Sequence, residues 1–500
     1  MSRRRLALAA FVALVGAPAA TAAQPAPLTG LDAYVQSAMR DWEVPGLALA
    51  VVRGDSVLYV RGYGVADVAT GAPVDENTLF AIASTSKAFT VAALGALVDD
   101  GRLSWDDPVT RHLPGFQLGD PWVTAHLTVR DLLTHRAGVD RQDNLWIAAP
   151  FDRDEILRRA RDLDQVAEFR AGYGYNNIMF ITAGEVAGKA SGLGWDELVD
   201  QRIFTPLGMT RSTSRMAEVE TRGNVAASHI RVDGKVVSVP RRNYDNIGGA
   251  GAIFSSARDL AQWLRLHLGH GVYAGQRVLS DSVMAEMRRP HNPLRGDSVF
   301  ARMFPGVKFR AYALGWNVQD YRGRTLVHHS GSINYTRTHV GYVPEEGIGF
   351  VAMANLTSSD LQLALMYRVL DTLLGAEPTD WSTEYLELAA RGNSRSAARA
   401  AEVEAARLRG TTPSLTPDGY AGTYESALYG PARVEAESGK LVLRYAPDYV
   451  GDLEHWHHDT FRVVWRRTGF GRSFVTFALD ERGRITRMEL DGFGRFARGG

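Results

Sequence analysis

The 500-residue chain contains no cysteine. This absence excludes disulfide bonds, thiol catalysis, cysteine-ligated metal sites and a lipid-modified N-terminal cysteine. Lysine is also scarce, with five residues against fifty-one arginines. Acidic and basic residues balance to a formal net charge of zero, so charge does not favour nucleic acid or an acidic membrane as the main partner.

Long apolar runs are lacking after the N-terminus. The run that starts at Leu6 follows a cluster of three arginines and is broken by Gly16 and Pro18. The letters ATA at 20–22 then fit the A-x-A pattern that precedes a signal-peptide cleavage point. We interpret 1–23 as a cleaved signal peptide rather than an uncleaved membrane anchor, and we expect a periplasmic or secreted mature protein.

Strand-like and helix-like patterns mix in the region 28–376. Two β-rich runs around a Gly-Asp-Ser turn predict a hairpin over 47–67, and 347–355 is typical of a buried strand. Apolar residues lie all round 86–101, which predicts a helix buried in the middle of the domain. Together these patterns predict an α+β fold, in which a sheet is built from both ends of the region and a helical part is inserted between them.

The sequence changes character after residue 376. Residues 377–416 are rich in Ala, Arg and Glu and are interrupted at Gly392-Asn393, which predicts a helical connector of two short helices. From 417 to 500, short β-rich runs alternate with turn signals. This spacing predicts a small antiparallel β-barrel as a separate C-terminal domain.

One of the five lysines, Lys87, follows Ser84 by three residues. Residues three apart share a helix face, and Ser84 comes at the expected helix start, where free N–H groups favour a developing anion. A serine nucleophile needs an adjacent base, and a lysine removed from water can lose its proton near neutral pH. The spacing also fits an N-cap serine beside a lysine with a buried stem, so the pair alone establishes no active site.

A second pair of polar residues, Tyr175 and Asn177, lies two apart at an expected loop tip. A tyrosine can relay a proton, and an asparagine can hold an amide or a carbonyl group of a substrate. The pair also fits a surface turn with aromatic packing, so both interpretations stay open at this point.

A third segment contains His329, Ser330, Gly331 and Ser332 on an expected strand. A glycine there lets a substrate backbone approach closely. The N–H of Ser332 can pair with that of Ser84 as an oxyanion hole. Adjacent histidines in this segment also fit a hydrogen-bonded pair at a strand edge.

Taken together, Ser84-x-x-Lys87, Tyr175-x-Asn177 and His329-x-Gly331 resemble the motifs of the serine β-lactamase and penicillin-binding-protein superfamily. The Tyr-x-Asn form is similar to the class C branch, with its esterase and D-aminopeptidase relatives. The resemblance covers nearly all of 28–374, including framework segments at 102–116, 127–139, 202–213 and 248–264.

The resemblance implies a β-lactamase/transpeptidase-like fold and acyl transfer through a serine. Ser84 is then the nucleophile, and Lys87 and Tyr175 share the base role, which stays unassigned between them. The implied substrate-binding and oxyanion residues are Asn177, His329, Ser330, Gly331 and Ser332. The resemblance implies no cofactor and no metal.

The C-terminal segment 417–500 resembles a lipocalin-like domain that follows such hydrolase domains. One archaeal relative uses this domain to build an octamer. A homo-oligomer formed through the C-terminal domain is therefore an expectation for this chain.

Two residues depart from the family pattern. His329 stands where true β-lactamases have a lysine, and a histidine that is neutral at pH 7 offers little attraction to the carboxylate of a β-lactam. Tyr335 stands where relatives often have glycine, which predicts a narrower cleft.

From these features we expect an exported serine hydrolase that acts on small esters or amides, including short D-amino-acid peptides. Two alternatives remain: a β-lactamase or D,D-peptidase, and a non-catalytic binding or assembly protein of the same fold. His329 argues against the former, and the complete set of Ser84, Lys87 and Tyr175 argues against the latter.

A histidine cluster near the C-terminus requires a separate interpretation. His455 and His457 lie on one face of an expected strand, at a spacing that metals accept. We interpret them, together with His458, as packed or solvated strand residues and expect no metal site.

Overall fold

The computed structural model describes residues 28–296, 298–357, 359–377 and 379–499. The signal peptide expected at 1–23 lies outside these residues. Within them, no helix combines the length and the apolar character that crossing a membrane requires.

An antiparallel sheet forms the centre of the N-terminal part, and eight strands belong to it among the described residues. In sheet order they are β2 (Ser56–Gly64), β1 (Gly46–Arg53), β14 (Ile348–Ala354), β13 (Thr336–Val343), β12 (Arg324–Ile333), β11 (Asn317–Tyr321), β10 (Arg310–Tyr312) and β9 (Asn292–Pro293). The hairpin β1–β2 and the buried strand β14 confirm the predictions from sequence. Because β1 pairs with β14, both ends of the region build the sheet, as expected.

Helices and small strand pairs fill the part of the chain between β2 and β9. The pairs are β3 (Phe80–Ala81) with β6 (Phe254–Ser255), β4 (Ser228–Val232) with β5 (Lys235–Val239), and β7 (Val272–Tyr273) with β8 (Gln276–Arg277). The α-helices between β2 and β9 are α2 (Ser86–Asp99), α3 (Val109–His112), α4 (Pro121–His126), α5 (Val129–Leu133), α6 (Asn144–Ile147), α7 (Arg153–Arg159), α8 (Asn177–Ser191), α9 (Trp195–Val199), α10 (Thr205–Leu207), α11 (Met216–Arg222), α12 (Ala257–Leu268) and α13 (Asp281–Met287). Outside that stretch lie α1 (Leu31–Asp41), α14 (Ser298–Met303) and α15 (Leu361–Leu373).

Strand β1 faces two cores, because successive side chains of a strand point to opposite faces. Leu47 and Leu49 join residues of α1 and α15 in one core, whereas Ala48 and Ala50 join residues of α2 and α12 in the other. Every residue of α2 from 86 to 97 is buried, so the helix runs through the second core as its sequence predicts. The small alanines on that face let the helices approach the sheet closely.

The connector differs from the prediction of two short helices. A single helix, α16 (Trp381–Ala405), continues through Gly392-Asn393. A glycine in a helix interior costs only about 1 kcal/mol relative to alanine, and the surrounding Ala, Arg and Glu residues favour helix. One weak position therefore does not end the helix.

The C-terminal part is a closed antiparallel barrel, as predicted, and eight strands of the described chain form it. A short helix, α17 (Pro417–Tyr420), precedes β15 (Gly422–Ser426), β16 (Gly430–Glu437), β17 (Lys440–Ala446), β18 (Tyr449–His457), β19 (Thr460–Trp465), β20 (Arg472–Leu479), β21 (Ile485–Leu490) and β22 (Gly494–Arg498). Pairing of β15 with β22 closes the barrel. The division of the chain at 376 and 416 stays a prediction.

Arg242 of the N-terminal part contacts the barrel through an ion pair and two aromatic rings. Its Nε lies 3.1 Å from a carboxylate oxygen of Asp448 in the barrel. Its guanidinium also lies 5.7 Å from the ring centre of Tyr449 and 5.2 Å from that of Phe470. An arginine that is paired and covered by rings in this way contributes both charge and apolar contact to the interface.

A buried carboxylate, Asp131 on α5, fixes the loop that leads to α8. It accepts hydrogen bonds at 2.6 Å from Arg136 Nε and at 2.6 Å from Arg170 Nη2, and it forms a capping box with Thr128. Burial alone raises the pKa of the Asp131 carboxyl, but the hydrogen bonds from Arg170 and Thr128 outweigh it and lower the pKa below its ordinary value. The ionised carboxylate thus anchors the chain a few residues before Tyr175.

We expect Asp131→Asn to lower the free energy of unfolding by about 1.5–3 kcal/mol, the range for hydrogen bonds to a charged group. Urea unfolding measures this. The matched control is Asp106→Asn, which removes an exposed carboxylate paired with Arg130 and should cost less than about 1 kcal/mol. An equal loss in the two variants would contradict the anchoring role of Asp131.

Candidate active site

Ser84 lies in a tight turn directly before α2. The turn covers Ala83–Thr85, and Ala83 has a φ of 51°, in the left-handed region that side-chain-bearing residues rarely adopt. Such strain persists only where surrounding contacts hold it, and here the N–H of Ile82 donates to the carbonyl of Ile253 at 2.9 Å. The half-buried Ser84 is thereby placed at the helix start, as the sequence predicts.

Lys87 is fully buried in the first turn of α2. Its Nζ lies 3.2 Å from Ser84 Oγ, 2.7 Å from Asn177 Oδ1 and 2.8 Å from the carbonyl oxygen of Ala250. Removal from water lowers the pKa of Lys87 well below its ordinary value, and the negative charge of Asp143 opposes this shift. The environment therefore favours the neutral amine.

The two acceptors around Lys87 determine where its lone pair points. A neutral amine has two N–H donors and one lone pair, whereas the amide oxygen of Asn177 and the carbonyl oxygen of Ala250 only accept. When these two oxygens take both donors, the lone pair is left for the hydroxyl of Ser84. The arrangement is suited to removing the proton of Ser84.

The ring of Tyr175 lies beside the amine of Lys87. Lys87 Nζ lies 4.9 Å from the centre of its ring, and its hydroxyl hydrogen-bonds Ser84. Burial raises the pKa of the Tyr175 phenol above its ordinary value, and the hydrogen bond with Ser84 opposes that rise. A phenol that keeps its proton is suited to giving it to a leaving group.

Strand β12 passes the serine turn at close range. An ideal Cβ on Gly331 would lie 2.1 Å from the carbonyl oxygen of Ile82 and 3.0 Å from the nitrogen of Ser84, so only glycine fits there. The following residue, Ser332, is exposed. The structure thus brings Ser330–Ser332 alongside Ser84, where the sequence predicts an oxyanion hole.

His329 is buried, and both of its ring nitrogens are engaged. Nδ1 lies 2.7 Å from the carbonyl oxygen of Ser330, which only accepts, so Nδ1 carries the proton. Nε2 then accepts from the hydroxyl of Tyr312 at 3.0 Å. Burial lowers the pKa of His329 to about 3, and a proton on Lys87 would act in the same direction. The imidazole is neutral, in agreement with the expectation from sequence.

His135 belongs to the site but was not singled out from the sequence. It is fully buried, its ring centre lies 4.2 Å from that of Tyr175 and 4.7 Å from that of Tyr312, and its Nδ1 accepts from the N–H of Asn176 at 3.1 Å. Burial lowers its pKa well below the ordinary value. The residue lies in the framework segment 127–139, but no spacing tied it to the three motifs.

Asp143 is a second residue that sequence reasoning missed. Its Oδ1 accepts from Asn177 Nδ2 at 3.0 Å and from the indole N–H of Trp146 at 2.9 Å, and its Oδ2 accepts from Arg141 Nε at 2.6 Å. The amide of Asn177 is therefore engaged at both ends, by Lys87 and by Asp143. No local pattern marks this carboxylate, because its partner is 34 residues away in the chain.

A cavity of about 530 Å³ lies between the N-terminal part and the barrel, and it reaches Ser332. Aromatic side chains from both parts line it: Trp146, Tyr244, Tyr335, Tyr449, Trp465, Phe470 and Phe493. The Tyr335 hydroxyl lies against Gly469 of the barrel, because an ideal Cβ on this glycine would lie 2.6 Å from it. The barrel thus forms one wall of the cleft.

The histidine cluster lies on β18 and the turn that follows it. A register shift falls between His455 and His457, and His455 Nε2 lies 3.0 Å from the carbonyl oxygen of His458. Among the described residues, no group of three or more histidine, cysteine or carboxylate side chains is placed to hold a metal ion.

Two known family models match the sequence of this chain. A family model described as Beta-lactamase matches residues 31–373, and a domain of unknown function matches 406–497. The chain belongs to the β-lactamase family. It is a serine hydrolase of that family, and its N-terminal part has the β-lactamase/transpeptidase-like fold.

Two curated relatives illustrate the family. An unguisins hydrolase of Aspergillus violaceofuscus is 31% identical over 450 residues, which cover 83% of this chain and 78% of that protein. Penicillin-binding protein 4 of Amycolatopsis lactamdurans is 29% identical over 343 residues, which cover 66% of this chain and 85% of that protein.

Two solved structures share the whole architecture. The octameric penicillin-binding protein homologue from Pyrococcus abyssi matches with a TM-score of 0.63 at 22% identity, covering 94% of this chain and all of that one. The SurE structure matches with a TM-score of 0.59 at 22% identity, covering 95% of this chain and 99% of that one. At this identity the likeness shows the fold, barrel included.

Gly331→Ala should push β12 away from the Ser84 turn, because its Cβ has no room. We expect a loss of about 1–3 kcal/mol in the free energy of unfolding, the usual cost of overpacking, measured by urea unfolding. Gly172→Ala is the control, since a Cβ there meets open space. If Gly331→Ala were as stable as Gly172→Ala, the close approach of β12 to the turn would be wrong.

Proposed function

We propose that the protein hydrolyses small esters or amides, including short peptides with D-amino acids, through an acyl-enzyme on Ser84. The observation that carries the proposal is the buried Lys87 amine, whose Nζ lies within hydrogen-bonding distance of Ser84 Oγ and of two oxygens that only accept. A binding protein has no need to bury a lysine in this way, so the geometry disfavours the non-catalytic alternative.

In the acylation step, Ser84 Oγ attacks the carbonyl carbon of the substrate and its proton passes to Lys87 Nζ. The N–H groups of Ser84 and Ser332 hold the oxyanion that forms. The bond to the leaving group then breaks, the leaving group takes the hydroxyl proton of Tyr175, and Lys87 returns its proton to Tyr175. The opposite pKa shifts of Lys87 and Tyr175 support Lys87 as the base and Tyr175 as the acid.

In the deacylation step, water attacks the acyl carbonyl and gives its proton to Lys87. The second tetrahedral intermediate uses the same two N–H groups of Ser84 and Ser332. Its collapse breaks the bond to Ser84 Oγ, which regains a proton from Lys87 and restores the starting state. The step needs no group outside the set already described.

The cleft supports apolar or aromatic substrate groups next to the reacting bond. The cavity that reaches Ser332 is lined by rings of both domains, and such surfaces bind apolar side chains better than charged ones. The relative that is 31% identical is named as a hydrolase of unguisins, which supports hydrolysis as the reaction.

The site of action and the assembly state rest on the sequence. We propose that residues 1–23 direct export and are removed, which leaves the protein periplasmic or secreted. A homo-oligomer formed through the barrel domain remains a prediction.

The central test is covalent labelling of Ser84. A fluorophosphonate or a slow ester should form an adduct that peptide mass spectrometry places on Ser84. Lys87→Ala should slow labelling by about a hundredfold or more, the scale of losing positioned proton transfer. Lys87→Arg should not restore fast labelling, because a guanidinium stays charged at any working pH.

Tyr175→Phe should instead mainly slow turnover of amides, whose leaving group needs a proton.

The matched control is Lys189→Ala, which removes an exposed lysine of α8. It should label as the wild type does. An adduct on another serine, or rapid labelling of the Lys87→Arg variant, would be incompatible with the proposed mechanism. Comparison of D- and L-amino-acid p-nitroanilides then tests the proposed substrate class.

A second candidate, the β-lactamase, is favoured by the penicillin-binding-protein relative and disfavoured by the neutral His329. We expect the wild type to hydrolyse p-nitrophenyl butyrate with a higher kcat/KM than nitrocefin. His329→Lys should raise kcat/KM for nitrocefin about ten- to a hundredfold, since a charge-assisted hydrogen bond to its carboxylate is worth about 1.5–3 kcal/mol. Faster hydrolysis of nitrocefin than of the ester by the wild type would instead identify a β-lactamase.

A further inference from the structure

A short loop that ends at Asn144, the first residue of α6, lies between the barrel and the serine site. The side chains of Gln142 and Asn144 bond to the barrel: the Tyr429 hydroxyl donates to Gln142 Oε1, and Asn144 Nδ2 donates to the carbonyl of Gly492 at 2.6 Å. The residue between them, Asp143, bonds instead to Asn177 beside Lys87. One loop therefore touches both the barrel and the lysine network.

The orientation of the Asn177 amide matters to Lys87. Only one of its two orientations presents an oxygen to the Lys87 amine, and the other presents N–H groups. Asp143 accepts from Asn177 Nδ2 and so selects the orientation that leaves Oδ1 for Lys87. In the flipped orientation, donors would face Lys87 and an oxygen would face the carboxylate.

The backbone of the loop is strained and needs support. Gln142 has a φ of 36°, in the left-handed region, and a residue with a side chain keeps such a conformation only where neighbours hold it. The hydrogen bonds of Gln142 with Tyr429 and of Asn144 with Gly492 provide that support on either side of Asp143. The indole N–H of Trp146 on α6 donates to the same carboxylate at 2.9 Å.

We infer that Asp143 is a positioning residue that orients Asn177 beside Lys87, and that the C-terminal barrel holds Asp143 in place through Gln142 and Asn144. The catalytic consequence rests on the proposed function, whereas the coupling of barrel and loop does not. The barrel then has a role in the first chemical step besides forming a wall of the cleft.

The charged groups around Lys87 determine in which direction the pH dependence of acylation shifts when Asp143 is replaced. Asp143 raises the pKa of Lys87 and Arg141 lowers it, and Tyr175, His135 and His329 are further titratable groups near the amine. Loss of the Asp143 charge therefore lowers the pKa of Lys87. Because the neutral amine is the active form, the acid limb of the acylation profile should move to lower pH.

The first test replaces the carboxylate. Asp143→Ala should slow labelling of Ser84 by about ten- to a hundredfold, the range for one hydrogen bond to a charged group. Asp143→Asn keeps an oxygen for Asn177, so it should retain more of the rate while its acid limb moves to lower pH. Asp152→Ala, which removes a carboxylate that caps α7, is the control and should change neither. If both Asp143 variants labelled Ser84 at the wild-type rate and kept the acid limb of the wild type, the positioning role would be overturned.

The second test separates the barrel contact from general damage to the barrel. Tyr429→Phe removes the hydrogen bond to Gln142, whereas Tyr424→Phe removes a buried hydroxyl that donates to the carbonyl oxygen of Tyr420 in α17. Tyr429→Phe should slow labelling severalfold and Tyr424→Phe should not. In an Asp143→Ala background the Tyr429→Phe effect should disappear, because both changes act through one residue. If the effects of Asp143→Ala and Tyr429→Phe on the labelling rate were fully additive, the coupling would be overturned.

A spectroscopic readout makes the coupling independent of catalysis. The indole ¹⁵N–¹H signal of Trp146, assigned with Trp146→Phe, reports on Asp143 directly. It should shift in Asp143→Ala and in Tyr429→Phe, and stay in place in Tyr424→Phe. An unmoved signal in Tyr429→Phe refutes the coupling. A shifted signal in a protein whose Ser84 takes no label refutes the proposed function and leaves the coupling standing.

Discussion

The burial of Lys87 is the constraint on which the site depends. An ammonium group with no water around it is costly, so the group instead gives up its proton, and each remaining N–H must find an acceptor. The acceptors come from α8 and from the backbone beside Gly249, which must lie close to α2. Two glycines let α8 and this backbone lie against each other: an ideal Cβ on Gly184 would lie 3.2 Å from the nitrogen of Gly249, and one on Gly249 would lie 2.9 Å from the carbonyl oxygen of Phe180.

Local spacing made much of the fold and site predictable. Ser84 and Lys87 meet because helix geometry alone puts residues three apart on one face, and the burial of α2 follows from apolar residues all round it. The short apolar, β-rich runs of β1 and β14 likewise predict strands without knowledge of their partners. What sequence reasoning missed depends on distant chain segments. Asp143 and His135 have no local signal, and Ala250 acts through its carbonyl oxygen, which every residue type carries.

The wrong prediction at Gly392-Asn393 has a similar origin. A glycine in a helix interior costs about 1 kcal/mol relative to alanine. However, α16 begins with an N-cap hydrogen bond that the Asp380 carboxylate accepts from the N–H of Thr383, and its first turns pack through Trp381 and Tyr385. Those contacts establish the helix before the weak position is reached. Propensity read over a few residues cannot include packing that lies ten residues away.

Protonation states explain how a site with so many polar groups stays compatible with burial. Lys87, His135 and His329 all favour neutral forms, and Tyr175 favours its proton. Transfer of the serine proton therefore creates two charges at once, an ammonium at Lys87 and an oxyanion on the substrate, a short distance apart. Each stabilises the other in a poorly solvated cleft, where charges interact more strongly than in water. A substrate that carries its own carboxylate adds a further charge, for which the neutral His329 provides no partner.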